Sequence, residues 1–365
     1  MAISRLLPAS FEQPNRTNFI QNSEFNVAQR FTSKSIIEGY TLDRWKIDRG
    51  NVDNWAATVS QDSNVPAACG FQNSLKVQTT TAESALADNE YGIIEHIIEA
   101  QNLQHLNWGA SNSGGKKITL SFWVKSNVTG TYCNSLYHYD GNDMVNSTYT
   151  INSADTWEFK SVTYDANALT DGEIDDNSEA GLKINWLLFA GANYKGTSAA
   201  TWASYTTNMY AHGHNVNIGA STSNYWQITG VCLNEGSKSI SGNDGKSFPH
   251  ETYAETFQKC LRYFNRISGQ NCREFAGYNE STTKGLHVFR HPVKMRGTPT
   301  LGVSGTAGNY IIAYSNTQTA CNATLAFNTT NAEGVTFYSS VASGLTAGQA
   351  SCLRNIDYID LKAEL

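Results

Sequence analysis

Between Tyr40 and Gly236 the chain runs in short segments whose apolar residues recur at every second position. That period commits a backbone to half-buried strands, because successive side chains on a pleated strand point to opposite faces. The clearest case is Lys117 to Lys125, where Ile118, Leu120, Phe122 and Val124 share one face and Thr119, Ser121 and Trp123 the other. In Lys183 to Ala190, Ile184, Trp186 and Leu188 oppose Asn185, Leu187 and Phe189. Both faces there are apolar, which predicts a central strand. Trp226, Ile228 and Cys232 alternate with Gln227 and Thr229, and shorter strands are predicted at Ser74–Gln78 and Thr148–Ile151. Turn clusters such as Asn112-Ser113-Gly114-Gly115 and Asp140-Gly141-Asn142-Asp143 separate these runs. Many short strands with regular turns predict a mainly β chain built on a jelly-roll β-sandwich. Ile93-Ile94-Glu95-His96-Ile97-Ile98 fits a helix as well as a strand.

Composition narrows the function classes. Charged residues make up 16% of the 365, against roughly 25% in an ordinary soluble domain, and Asn, Ser, Thr and Gly fill the difference. Aromatics reach 11%, so the chain has material for a packed core and is not a disordered polar segment. A net charge of −6 argues against nucleic-acid binding, which rests on clustered Lys and Arg. No apolar run approaches the length of about 18 residues that a spanning helix needs. The opening residues lack the apolar stretch of a secretory signal. Seven dispersed cysteines without a C-x-x-C pair read as buried thiols made in a reducing compartment, with one disulfide left open.

Three regions are expected: an N-terminal arm over residues 1–35, a jelly-roll sandwich over 36–240, and a helix with a smaller β-rich tip over 250–365. The helix is predicted over about 253–267. Thr252 and Glu255 have capping-box spacing, and Phe257, Cys260, Leu261 and Phe264 lie on one face opposite Lys259, Arg262 and Arg266. Strands are expected to follow at 286–289, 300–303, 310–314, 323–327, 335–339 and 358–361. No internal repeat of about 20 to 50 residues suggests a propeller or solenoid.

The reactive side chains form no recognisable catalytic motif. Glu95, His96 and Glu99 lack the second histidine of a zinc-binding helix. His212 and His214 have no evident third ligand and read as solvent-exposed. The acidic run Asp171, Glu173, Asp175, Asp176 and Glu179 departs from an EF-hand loop at its sixth and twelfth positions and reads as solvated. No catalytic residue, cofactor or metal is therefore assigned. What remains is aromatic. Sugar rings stack their C–H faces on Trp and Tyr while Asn and Ser bond the hydroxyls. Trp108, Tyr137, Tyr139, Trp202 and Tyr205, expected in loops among Asn and Ser, are the candidate glycan-binding residues. Trp45, Trp123, Trp186 and Trp226 are expected in the core.

Several segments, in order, carry a family resemblance. Asn18-Phe19-Ile20-Gln21-Asn22-Ser23-Glu24-Phe25 with Gln29-Arg30, then Tyr40-Thr41-Leu42-Asp43-Arg44-Trp45, and the strands Thr119–Ser126 and Tyr225–Gly236 come first. Cys260-Leu261-Arg262-Tyr263-Phe264 and Met295-Arg296-Gly297-Thr298-Pro299 follow. Together they resemble bacteriophage tail-fibre and tailspike-type virion proteins carrying a carbohydrate-binding-module-like jelly roll. The resemblance implies a strand at Ile93–Ile98 and a virion structural protein of the tail or a surface appendage, made in the host cytoplasm. It further implies a homotrimer that docks to other virion proteins through its N-terminal arm and adheres to a host-surface glycan without catalysis, inserting in no membrane. A capsid-decoration or tail-associated protein, and a glycan-cleaving tailspike, stand as alternatives.

Overall fold

The computed structural model describes residues 17–109, 115–165, 173–196, 200–243, 247–269, 273–355 and 357–365. They fall into two compact units, one ending at Thr252 and the other running from Tyr253 to Leu365.

The first unit is a sandwich of two antiparallel sheets. Its strands are β1 (Ser33–Ile36), β2 (Gly39–Tyr40), β3 (Trp45–Gly50), β4 (Ala56–Asp62), β5 (Ser74–Thr81), β6 (Tyr91–Glu99), β7 (Ile118–Ser126), β8 (Gly130–His138), β9 (Asp143–Ile151), β10 (Glu158–Tyr164), β11 (Ala180–Ala190), β12 (Ala203–Ser204) and β13 (Tyr225–Glu235). One sheet has the order β1-β4-β5-β13-β7-β10 and the other β12-β9-β8-β11-β6-β3-β2. The chain crosses repeatedly between the layers, as a jelly roll does. The ambiguous run at Ile93–Ile98 is a strand, with Ile94 and Ile98 turned into the core and Ile93 outward.

Inward residues of both sheets interdigitate. Trp45, Trp186 and Trp226 are fully buried as expected. The rings of Trp45 and Trp186 lie 5.3 Å apart, and Trp186 meets Phe122 of the opposite sheet at 5.9 Å. Trp123 differs from expectation. It is half-buried on the outer face of the six-stranded sheet, 5.5 Å from Phe159.

Two register shifts account for the other departures from strict alternation. In β11 the pairing slips between Leu187 and Phe189. Leu188 and Phe189 therefore both enter the core, leaving Asn185 and Leu187 outside. Gly92 makes room for the Phe189 ring, since a Cβ there would come within 2.4 Å of it. In β13 the slip lies between Thr229 and Cys232, at Gly230 with φ +57°. Val231 and Leu233 then face the core, and Cys232 joins Cys69, Phe71 and Phe248 on the other side. An extra residue reverses the phase of everything beyond it.

The expected arm needs correction from Asn18 onward. Phe19, Ile20 and Phe25 belong to the sandwich core, and Phe19 donates its N–H to Leu233 O at 3.0 Å. Asn22 is buried and its Nδ2 donates to the carbonyls of Val27 and Asp43, each at 2.9 Å. Residues 1–16, Asn112–Gly114, Asp171 and Cys272 lie outside the described residues.

The second unit opens with helix α1 (Tyr253–Leu261). The helix ends earlier than the pattern suggested, because Phe264–Ser268 is a strand, β14. Arg266 thus leaves the helix face and forms a bidentate pair with Asp360, at 2.7 and 2.8 Å, beneath the Tyr358 ring. There follow β15 (Arg273–Asn279), β16 (Lys284–Arg290), β17 (Thr300–Val303), β18 (Tyr310–Tyr314), β19 (Thr317–Ala320), β20 (Ala326–Asn331), β21 (Gly334–Ser340), β22 (Ala350–Asn355) and β23 (Tyr358–Lys362). They form a three-stranded sheet, β14-β23-β17, and a seven-stranded one, β19-β18-β22-β15-β16-β21-β20, enclosing Phe275, Tyr310, Ile312, Phe337, Leu353 and Leu361. The strand expected at 323–327 starts at Ala326 instead, and β15, β19 and β22 were not anticipated.

Candidate functional site

The outer face of the seven-stranded sheet in the first unit carries a cleft of about 210 Å³ lined by Tyr91, Tyr137, Lys183, Tyr194, Tyr205 and Tyr210. Alternation puts them there. Inward Ile94, Trp186 and Leu136 leave Tyr91 and Glu95 of β6, Lys183 of β11 and Tyr137 of β8 pointing outward. Lys183 lies directly opposite Tyr137 in the ladder. The remaining tyrosines come from the segment between β11 and β13. Tyr194 ends a short 3-10 helix, Tyr205 follows β12, and Tyr210 is buried beneath them. Main-chain bonds hold this segment in place: Tyr205 N donates to Asn142 O in the turn between β8 and β9 at 2.8 Å, and within the segment Ala211 N donates to Tyr194 O at 2.8 Å.

The rings brace one another edge-on. Tyr91 lies 5.1 Å from Tyr194 and 5.6 Å from Tyr210, and Tyr137 lies 5.3 Å from Tyr205 and 4.9 Å from Tyr139. The Lys183 ammonium sits 5.8 to 5.9 Å from the centroids of Tyr137, Tyr139 and Tyr210. Tyr91 donates its hydroxyl to Asp48 at 3.3 Å, Tyr137 to Asn142 at 2.8 Å and Tyr194 to the Asn89 carbonyl at 3.1 Å.

Beneath the tyrosines runs a row of paired charges. Glu95, 2% exposed, meets Lys46 Nζ at 3.0 Å and Lys183 Nζ at 3.8 Å, and Lys46 also meets Asp48 at 3.6 Å. Burial works against the Lys46 charge, but Glu95 and Asp48 outweigh it and raise the Lys46 pKa. Burial, and then the same two carboxylates, push the hydroxyls of Tyr139 and Tyr210 up; for Tyr91 burial leads and Asp48 follows. All stay neutral donors and acceptors at physiological pH.

The five candidate glycan-binding residues divide cleanly. Tyr137 and Tyr205 line the cleft, and Tyr139 packs behind Tyr137. Trp108 and Trp202 do not belong to it: they are 3% and 2% exposed in the sandwich core, 5.3 Å from each other. Polar neighbours in sequence gave no hint that these two side chains pack into the core. Tyr91, Tyr194, Tyr210 and Lys183 were not anticipated. The alternation of Tyr91, Ile93 and Glu95 on one face was the available signal for the first of them.

Other titratable groups are structural. His214 is buried rather than exposed, and its Nδ1 accepts the Cys133 N–H at 3.1 Å. His96 is buried against Trp45 at 4.9 Å. Among the described residues, Cys133, Cys232, Cys321 and Cys352 are free thiols. Among the described residues, no group of three His, Cys, Asp or Glu is placed to hold a metal ion, and no helix is long and apolar enough to cross a membrane.

No family model matches the chain, and no curated protein matches it. Among solved structures, it is similar to the enzymatically active domain of tailspike protein 4 from bacteriophage CBA120, at 14% identity and a TM-score of 0.32, over 60% of this chain and 21% of that one. The chain thus matches about a fifth of that tailspike domain's length. A putative sugar-binding protein from Bacteroides thetaiotaomicron is similar at 13% identity and a TM-score of 0.30, over 60% of this chain and all of that one. The family 11 carbohydrate-binding module of a Clostridium thermocellum cellulase is similar at 12% identity and a TM-score of 0.29, over 60% and 96%. No residue role is carried over from these three.

Proposed function

We propose that the protein is a phage virion appendage that adheres to a host-surface glycan through the tyrosine cleft, without catalysis. One observation carries the reading: three strands and one connecting segment converge five tyrosines and a lysine on a single outward cleft. Tyrosine rings offer faces for the C–H side of a sugar, and their neutral hydroxyls can bond its hydroxyl groups. Glycoside hydrolysis needs two carboxyls on opposite sides of the bond being cut. Here Asp48 and Glu95 both engage Lys46 from beneath the rings, an arrangement suited to holding a ligand.

Single sites of this size bind weakly, so adhesion relies on a homotrimer whose copies engage together. The residues before Asn18 would dock to other virion proteins. The resemblance of the segments from Asn18 to Arg30 and from Cys260 to Pro299 supports the virion setting. The test is binding of the purified chain to a glycan array, with sedimentation for subunit number and immunolabelling of particles for location. Glycan binding by a trimer that labels the tail or a surface appendage upholds the proposal. A monomer removes the trimer, labelling confined to the capsid without glycan binding favours a decoration protein, and release of reducing ends overturns the non-catalytic reading.

A further inference from the structure

The charges under the cleft bear on which sugars it accepts, an inference that rests on the glycan reading. Among the described residues Lys183 is the one cation lining the cavity, and a lysine there would ordinarily favour an acidic sugar. Its ammonium is already engaged. Glu95 Oε2 lies 3.8 Å away, the other Glu95 oxygen binds Lys46 at 3.0 Å, and Lys46 reaches Asp48 at 3.6 Å. These two carboxylates and two ammoniums balance, and Glu38 adds further negative field at Lys46. An incoming carboxylate would have to draw Lys183 from a glutamate that is 2% exposed, and stripping a partner from a buried charge is costly. It would also approach Asp48 and Glu95, whose field already reaches the hydroxyls of Tyr91, Tyr139 and Tyr210. The volume limits size as well: about 210 Å³ lies below the range of about 300–1,000 Å³ usual for drug-sized ligands.

We propose that Glu95 sets the specificity of this cleft, neutralising Lys183 so that the site takes one uncharged sugar ring and rejects uronates. Each sugar hydroxyl can exchange hydrogen bonds with tyrosine hydroxyls, while the ring face packs on Tyr137 or Tyr205. Glu95 acts here through Lys183 and is a positioning residue.

The test uses the intact chain and matched pairs of methyl glycosides, each neutral hexoside against its uronide (gluco, galacto and manno), with affinities from ligand-observed NMR titrations at low and high salt. The expected result is a neutral member bound about tenfold or more tighter than its uronide, with little salt dependence. Glu95→Gln should reduce that ratio by about tenfold, mainly by gain on the uronide, and make uronide binding salt-sensitive. A uronide bound as tightly as its neutral partner by the unaltered chain overturns the inference, and this comparison stands even if Glu95→Gln fails to fold. An unchanged ratio in a folded Glu95→Gln protein also overturns it. If no glycoside binds while a polysaccharide does, the one-ring site is wrong; if nothing binds, the glycan reading itself fails.

Discussion

Gly50 lies under the ring of Tyr91, so close that a Cβ at Gly50 would come within 2.1 Å of the Tyr91 Cε1. The two residues face each other across the β3–β6 ladder, and the missing side chain lets the tyrosine reach Asp48 with its hydroxyl. Gly50→Ala should swing the Tyr91 ring away from Tyr194 and Tyr210. The expected cost is about 1–2 kcal/mol of stability, as for other overpacked sites, and about tenfold in glycan affinity. Thermal melts and a binding titration on the same preparation measure both.

Tyrosines of the cleft and tryptophans of the core should separate binding from stability. Tyr137→Ala and Tyr205→Ala remove half-buried rings at the sheet surface and should abolish measurable glycan binding while costing about 1–2 kcal/mol. Trp108→Ala and Trp202→Ala open cavities in the core and should cost about 3–5 kcal/mol. Any of these variants that remains folded with an intact cleft should still bind. Urea unfolding paired with the array assay distinguishes the two classes.

That division also marks how far the sequence was legible. Alternation identified β7 and placed β11 at the centre of its sheet, because a strand covered on both faces must be apolar on both. It could not show the bulges that return Phe189 to the core and turn Cys232 out of it, since one unpaired residue reverses the phase without changing composition. Tyr137 and Tyr205 were legible as aromatic residues among Asn and Ser. Trp108 and Trp202 have similar neighbours, yet Trp108 donates Nε1–H to Lys116 O and packs inward. Tyr91 and Lys183 are far apart in the chain and meet through the strand order β8-β11-β6, and Tyr194 and Tyr210 join them from the segment between β11 and β13; no local pattern encodes either.

Acid should weaken both units through their buried histidines. Burial, with Lys195 nearby, lowers His214 to about 3, and burial lowers His287 to about 4. Each is neutral in the folded protein while the unfolded chain takes up a proton below about 6.5. The stability each supplies is complete above that pH and is lost as pH falls toward the folded value, at about 1.4 kcal/mol per unit per histidine. All eight tryptophans lie in the first unit, so their fluorescence follows that unit alone. Its urea midpoint should fall between pH 7 and pH 5, and less steeply in His214→Gln.

Glycan binding, by contrast, should be flat from about pH 6 to pH 9 where the fold is intact, since tyrosine ordinarily ionises near pH 10. Burial, followed by other local influences, raises Tyr91, Tyr137, Tyr194 and Tyr210 further. Affinity measured across that range should vary by less than about twofold. Ultraviolet titration should show these phenols ionising later than exposed tyrosines.

The most direct test compares the unaltered chain with a Tyr91→Ala, Tyr137→Ala double variant on one glycan array, after circular dichroism has established that both keep their β-sheet signal. The account predicts that the unaltered chain captures at least one surface glycan and that the double variant captures none. Equal capture by both proteins would contradict it, because the sugar would then be held somewhere other than the outer face of the seven-stranded sheet.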